Sequence, residues 1–437
     1  MFDVMQYQIL VLFRSCYGQS RLWEFQAVAE RAHPTVDFHW HWEETCHQYY
    51  GGSYGSSIVQ MLSDDLTVEQ WADIGAQCIG CKAIFEVIGE GKTLRDCVEH
   101  VGRLRDEHIL ELIPRTWSMQ IKHLGKIRRL HPKERREHIE TFRDVLGALT
   151  KRRVDLENPD SELWLLKDCR SVEDNDSSIE RRLALHHWLL KCVQPTTQIS
   201  ATELAIRSDV KKRAFISTTT MPADRAILMS NLGRVGKGAT VLDPFCGSGG
   251  LLISSALLGA KVVGADVDGD LLSFTDKPLP FPNSPHRPNR GVESVSYVDS
   301  FTELGLDKPT LLPGLDIQSE DFVARVMAAN NGHKYDAIIT DPPYGIRESQ
   351  SQMTELNIVE RLCMVGKEIL RTTARMVFLE IIEGRLTEID DIHQSLYVRI
   401  ETTAKQYEFE IGELSLERFN IRHLRATIVL EKIQKTV

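Results

Sequence analysis

The chain has 437 residues, of which 42% are hydrophobic and 26% charged, and its formal net charge is −10. That length exceeds what one ordinary core encloses, so more than one globular domain is expected. The apolar run from Tyr7 to Phe13 is shorter than the roughly 20 residues that span a bilayer and lacks the basic lead and cleavage site of a signal peptide, so it reads as a strand.

The cysteines form no regular framework and no secretory signal precedes them, which implies reduced thiols and a cytoplasmic or nuclear protein, with the cytoplasm expected. Cys78-Ile79-Gly80-Cys81 has metal-knuckle spacing, but neither a second pair nor spaced histidines accompany it. Buried thiols and no metal site are expected. A net acidic charge argues mildly against nucleic acid, yet phosphate binding needs only a local field. Lys122, Lys126, Arg128, Arg129, Lys133, Arg135, Arg136, Arg143, Lys151, Arg152 and Arg153 crowd one interval, opposed there by Glu134, Glu137, Glu140 and Asp144. Charge alone leaves two readings of this interval, an RNA-binding module and a solvated helix face.

In chain order, Gln8 to Phe13 and Cys81 to Ile88 read as strands. Pro132 opens a helix in which Ile139, Phe142, Val145, Leu146 and Leu149 recur at helical spacing. Asp174 to Ser178 is a loop, Leu183 to Val193 an apolar segment, and Gln194 to Arg213 a connection. Beyond Thr240, short apolar runs at Thr240–Leu242, Lys261–Ala265, Ala337–Thr340 and Met376–Ile382 alternate with helical segments. Such alternation marks a parallel sheet covered on both faces. Tyr407 to Leu414 and Ala426 to Ile433 fit a terminal antiparallel pair.

Two loops carry chemistry. Val241-Leu242-Asp243-Pro244-Phe245-Cys246-Gly247-Ser248-Gly249-Gly250 leads from a strand into the helical Leu251–Leu258. Glycines there let backbone approach a ligand, and free N–H groups at the helix start face the site. Neither the dinucleotide spacing nor a Walker lysine is present. Asp243 suits a ligand ammonium, and Asp266, ending the next strand, suits ribose hydroxyls. The second loop, Asp341-Pro342-Pro343-Tyr344-Gly345, follows the strand Tyr335–Thr340.

An exocyclic amine on a base is a poor nucleophile because its lone pair is delocalised into the ring. Asp341 and the Pro342 carbonyl, accepting its two N–H groups, would localise that pair. Pro342 and Pro343 stiffen the loop, and Tyr344 can stack on a flipped base. The combination predicts an S-adenosylmethionine-dependent methyltransferase acting on a base amine, with adenine, cytosine and guanine all open. Two lesser sites follow. Asp321 is the candidate for the adenine amine of the cofactor, with a helix N-cap as the plain alternative. Thr219 and Thr220, ahead of the helical Arg225–Leu232, are candidates for the methionine carboxylate.

Four stretches resemble a known family: DPFCGSGGLL (Asp243–Leu252), GADVD (Gly264–Asp268), DAIITDPPYGIRE (Asp336–Glu348) and KKRAFISTTTM (Lys211–Met221). With VDLENPDSELWLL (Val154–Leu166), they are similar to the THUMP-domain tRNA guanine-N2 methyltransferases, in particular the eukaryotic catalytic subunit acting on guanosine 10. The resemblance implies an α/β chain: a Rossmann-like methyltransferase domain at 214–437, behind an N-terminal α+β module. That module would comprise a ferredoxin-like region at 1–70 and a THUMP RNA-binding domain at 71–193, with a linker at 194–213.

It further implies cofactor contacts at Asp243, Phe245, Gly247, Gly249 and Asp266, catalysis by Asp341, Pro342, Pro343 and Tyr344, and a small zinc-binding activator subunit. The tRNA would meet Lys122, Lys126, Arg128, Arg129, Arg135, Arg136, Lys151, Arg152 and Arg153. One departure stands out: the proline-rich Lys277–Pro288 occupies the place of a helix after the second strand. Rival readings are a DNA amino-methyltransferase, which carries its recognition domain between or after the motifs, a ribosomal RNA enzyme, whose loop more often begins with Asn, and an inactive RNA-binding scaffold.

Overall fold

The computed structural model describes residues 8–14, 17–36, 38, 58–62, 66–104, 115–124, 132–143, 152–168, 186–196, 199–213, 220–272, 297–343 and 358–434. The chain divides into two compact units that interleave in sequence. The first is Met1–Cys16, Val36–Ala76 and Cys81–Gln198; the second is Tyr17–Thr35, Gln77–Gly80 and Ile199–Val437. No helix among the described residues is long and apolar enough to cross a membrane.

The first unit is built on one seven-stranded sheet in the order β2-β1-β3-β7-β6-β4-β5. Its strands are β1 (Gln8–Phe13), β2 (Ile58–Leu62), β3 (Cys81–Gly91), β4 (Thr116–Leu124), β5 (Arg153–Val154), β6 (Ser161–Asp168) and β7 (His186–Val193). β4 runs parallel to β5 and β6, and the other pairs are antiparallel. Both faces are buried, which the period-2 alternation along β6 makes visible. Leu163 and Leu165 join Ile88, Cys97, Val101 and Phe142 on one side, while Leu166 joins Leu10, Phe85 and Trp188 on the other. This single sheet spans both the 1–70 and the 71–193 segments. The helix expected from Pro132 runs to Arg143, with Phe142 buried and Ile139 packed beside it; Val145, Leu146 and Leu149 lie outside the described residues.

The second unit holds a seven-stranded sheet in the order β10-β9-β8-β11-β12-β14-β13. It comprises β8 (Thr240–Asp243), β9 (Lys261–Asp266), β10 (Thr310–Pro313), β11 (Tyr335–Thr340), β12 (Leu370–Glu383), β13 (Phe409–Arg418) and β14 (His423–Lys432). β10 through β12 are parallel, whereas β14 runs antiparallel to both β12 and β13, the terminal pair expected from sequence. Buried runs such as Ala337–Thr340 and Ala374–Leu379 meet helices on both faces. The proline-rich 277–288 lies outside the described residues, but a short helix, Tyr297–Glu303, does precede β10.

Helix Ser20–Ala32, which the sequence places inside the N-terminal region, clusters with the second unit. The reason is a buried polar network that local patterning does not reveal. Glu24, 0% exposed, accepts hydrogen bonds from the Ile79 and Gly80 N–H groups (both 2.8 Å) and from Asn231 Nδ2 (2.7 Å). Arg31 donates to Asn231 Oδ1 (3.2 Å), Gln77 Oε1 (3.1 Å) and the Val235 carbonyl. The segment 194–213, expected as a linker, also contains the helix Ala201–Arg207, which packs in the second unit.

Glu24→Ala removes the acceptor for three buried donors. It is expected to cost about 3 kcal/mol and to lower the thermal unfolding midpoint. A variant as stable as the parent chain would show that this network does not hold the helix in place.

Candidate active site

β8 and β11 lie side by side at the centre of the second sheet, with Ala337 opposite Val241 and Ile338 opposite Leu242. Chain order reverses here: β9 and β10 extend to one side, β12 and β14 to the other. Loops leaving two such strands diverge and open a crevice at their carboxyl ends. Both sequence motifs fall into that crevice. They are also bonded together, because Thr340 Oγ1 donates to Asp243 Oδ1 at 2.6 Å with both residues buried.

The glycine loop is shaped by its own backbone. Phe245 N–H donates to Asp243 Oδ1 (3.1 Å), and Cys246 N–H to the Ala265 carbonyl (3.0 Å). Gly247 N–H donates to Asp266 Oδ2 (2.8 Å). Gly247 (φ +47°) and Gly249 (φ +81°) both take left-handed backbone, which costs an L side chain energy and glycine nothing. A Cβ on Gly247 would meet no atom within 4 Å, so the loop borders open space. Gly249 caps the helix Gly250–Leu257, whose first N–H groups lack helical partners. Thr220 is held on this loop by a 2.7 Å hydroxyl contact with Ser248. Thr219 lies outside the described residues.

Asp243 accepts both of its bonds on Oδ1, and burial pushes its carboxyl up to about 7. Asp266 accepts from Gly247 on one oxygen and from Asp268 N–H (2.9 Å) on the other, so it braces the loop as well as facing the crevice. An ionised carboxylate keeps further lone pairs for ribose hydroxyls. Burial raises its carboxyl too.

Asp321 stands at the N-cap of helix Phe322–Ala329 but makes no cap hydrogen bond. Its side chain is 61% exposed and lies 3.9 Å from Arg325. Leu315 N–H bonds the Asp266 carbonyl (3.1 Å), which ties the turn after β10 to the end of β9. Gln318, three residues on, has a buried Nε2 with no partner among the described residues. Gln318 lies in the same stretch as Asp321, three residues before it.

Asp341 follows β11, half-buried overall, with Pro342 buried and Pro343 half-buried after it. Its Oδ1 is buried and, among the described residues, has no hydrogen-bond partner. Burial lifts its carboxyl to about 7, and the positive charges of Arg425 and Arg225 oppose that rise. Those two arginines, missed in the sequence, share Glu417: Arg225 Nη2 contacts its Oε1, and Arg425 Nη1 lies 3.4 Å from it. Tyr344 lies outside the described residues. An unpaired carboxylate oxygen in a dry crevice is an acceptor awaiting an N–H or O–H donor.

Of the basic candidates in the first unit, Lys122, Arg135, Arg136 and Arg153 are exposed and Arg152 is half-buried. Lys122 Nζ sits 5.1 Å from the Trp164 ring, and Arg153 pairs with Asp155 at 3.3 Å. Arg153 stands opposite Thr116 at the start of β4, whereas Lys122 lies near its other end, so these two are not one cluster. Lys126, Arg128, Arg129 and Lys151 lie outside the described residues. Cys78 and Cys81 are buried free thiols.

The strand order and the switch-point crevice give a Rossmann-like fold, and residues 211–389 match the family model described as "RMKL-like, methyltransferase domain". The chain is similar to the tRNA (guanine(10)-N(2))-methyltransferase TRMT11 of Xenopus laevis, with 30% identity over 61% of this chain and 52% of that protein. It is likewise similar to the Bos taurus counterpart, 29% identical over 68% of this chain and 60% of the relative. The chain thus spans between half and two thirds of the length of these relatives. The crystal structure of TrmN from Thermus thermophilus aligns over 98% of this chain and all of that one, at 13% identity and a TM-score of 0.41, too loose to carry weight.

Thr340→Val leaves Asp243 Oδ1 with the Phe245 N–H alone. A loss of about 1–3 kcal/mol is expected in equilibrium unfolding. Because the folded Asp243 carboxyl sits near 7, above its ordinary 3.8, its contribution is fully present below about 4 and is lost as pH rises through about 7. The variant, lacking the bond that favours the carboxylate, should lose stability more steeply over that window. An unchanged pH profile of stability would refute the coupling.

Proposed function

We propose that the chain transfers a methyl group from S-adenosylmethionine to the exocyclic N2 amine of guanosine 10 in tRNA, as the catalytic subunit of a complex with a small zinc-binding activator. The observation that carries the chemical part is the buried Asp341 Oδ1, without a partner among the described residues, at the switch point and tied through Thr340 to the glycine loop. The identity of the substrate is supported by the relatives' names and by the motif order, in which the extra module precedes the catalytic loops.

The crevice fits the cofactor. Open space at Gly247, the helix start after Gly249, the braced carboxylates Asp243 and Asp266, the unpartnered Gln318 Nε2 and the Thr220 hydroxyl offer the donors and acceptors of a nucleoside bearing an amino acid. When bound, S-adenosylmethionine supplies an electrophilic methyl on a sulfonium. Asp341 accepts one N–H of the guanine amine and the Pro342 carbonyl the other, which turns the nitrogen lone pair out of the ring toward that methyl. Forming the N–C bond would break the methyl–sulfur bond and leave a neutral thioether, and the amine proton would pass to Asp341. Thr340 holds Asp243, so the cofactor loop and the reacting amine keep one fixed relation. Tyr344, next in the loop, stacks on the flipped base. The activator adds by strand pairing to a sheet edge, and among the described residues β10 and β13 are the edges of the second unit's sheet.

Methyl transfer from labelled S-adenosylmethionine to unmodified tRNA, with and without a candidate activator, followed by nucleoside mapping, tests the reading. N2-methylguanosine at position 10 is expected, and label confined to DNA adenine would sink it. Asp341→Asn should keep cofactor binding while turnover falls by about 10²–10⁴. A carboxyl near 7 is already protonated on the acid side and so cannot take up the amine proton there. kcat/KM should therefore rise with pH through about 7 and then level. A flat profile would remove Asp341 from the proton's path.

A further inference from the structure

The tip of the β13–β14 hairpin is tied by its own hydrogen bonds, yet it leaves apolar and basic side chains facing outward. Asn420 Oδ1 accepts from the N–H groups of Arg422 (2.8 Å) and His423 (3.0 Å), Phe419 N–H donates to the His423 carbonyl (3.0 Å), and Gly384 N–H to that of Arg422 (2.9 Å). On this rigid frame Ile421 is 78% exposed and Phe419 42% exposed. Arg418 and Arg422, with Arg385 from the adjoining turn, line a groove of about 520 Å³. All three are exposed, and among the described residues none forms an ion pair. Glu388 accepts from the Arg385 backbone N–H (3.1 Å).

The tip lies at the end of the sheet where Asp341 stands. Thr340 is opposite Phe378 on β12, and β12 continues to Glu383, opposite His423, so the hairpin rises about 16 Å beyond the catalytic loop at the usual strand spacing. It is also joined to that site. Arg425 covers the Phe419 ring at 4.5 Å and shares Glu417, the neighbour of Arg418, with Arg225; the charges of both arginines reach Asp341.

We propose that this hairpin tip is an RNA-binding surface that holds the strand leading into the Asp341 crevice, with Arg385, Arg418 and Arg422 on phosphates and Phe419 and Ile421 under an unstacked base. The inference rests on RNA being the substrate. A base extruded into a crevice drags its flanking nucleotides across whatever surface adjoins it, and here that surface offers unpaired guanidiniums beside exposed apolar faces. Arginine forks match phosphate oxygens, and an exposed ring accepts any base. A docked protein is disfavoured, because burying three unpaired arginines costs more than covering two apolar side chains returns.

The test compares the full chain with Arg418→Ser/Arg422→Ser and with Ile421→Ser, measuring the Kd for an unmodified tRNA transcript over a salt series and the affinity for S-adenosylmethionine. The double variant should bind tRNA on the order of tenfold more weakly at physiological salt. Its log Kd–log salt slope should fall by about two, one for each phosphate that no longer meets an arginine. Ile421→Ser should weaken binding without changing the slope, and cofactor affinity should hold in both. Unchanged tRNA affinity and slope in the double variant overturn the proposal, as does loss of activator binding with tRNA binding intact. A parent chain that binds tRNA through the hairpin but labels no guanine would leave this inference standing and remove the proposed function instead.

Discussion

A 2.6 Å hydrogen bond from Thr340 to Asp243, buried between the central strands β8 and β11, is the contact on which the arrangement of the site depends. It joins the last residue of one strand to the last residue of the other, at the place where the order of strands reverses. Everything that follows β8 builds the glycine loop, and everything that follows β11 builds the Asp-Pro-Pro loop. Without this tie the two loops would be positioned only by separate packing against opposite flanks of the sheet. With it, Asp341 is placed relative to the cofactor crevice within the tolerance of one short bond.

That arrangement is costly, and the costs fall on acids. Asp243, Asp266 and Asp341 all have their carboxyls raised by burial within one crevice. Asp243 and Asp266 are offset by backbone and hydroxyl donors, from their own loops and from the neighbouring strand or loop. Among the described residues Asp341 has no such donor on Oδ1, only the more distant charges of Arg225 and Arg425. A fold that satisfies two carboxylates and leaves the third wanting marks the third as the one meant for a visitor.

The second unit achieves this with a segment borrowed from far upstream. Helix Ser20–Ala32 lies before most of the first sheet in sequence, yet Glu24 and Arg31 join it to Asn231 and to the Gln77–Gly80 segment. Arg234 and Arg375 extend the same network to Glu30 and Glu431. The catalytic-type unit is therefore not a contiguous stretch of chain, and its stability draws on residues that composition assigns elsewhere.

Read by itself, the sequence determined the parts whose cause is local. A period-2 or continuous apolar run makes a strand, a glycine pair after an acid makes a ligand loop, and consecutive prolines make a rigid turn; β8, β9, β11, β12 and the terminal hairpin were legible for those reasons. Asp243, Asp266 and Asp341 were legible as acids at the ends of those strands. Tertiary structure alone decided what depends on distant partners. It grouped helix Ser20–Ala32 with the second unit, bonded Leu315 to Asp266 while leaving Asp321 exposed, and brought Arg225 and Arg425 together on Glu417. Spacing along a chain encodes which way a side chain points on its own element. Which residue from elsewhere meets it there is set by how the elements close on one another, and that is where the surroundings of Asp341 were decided.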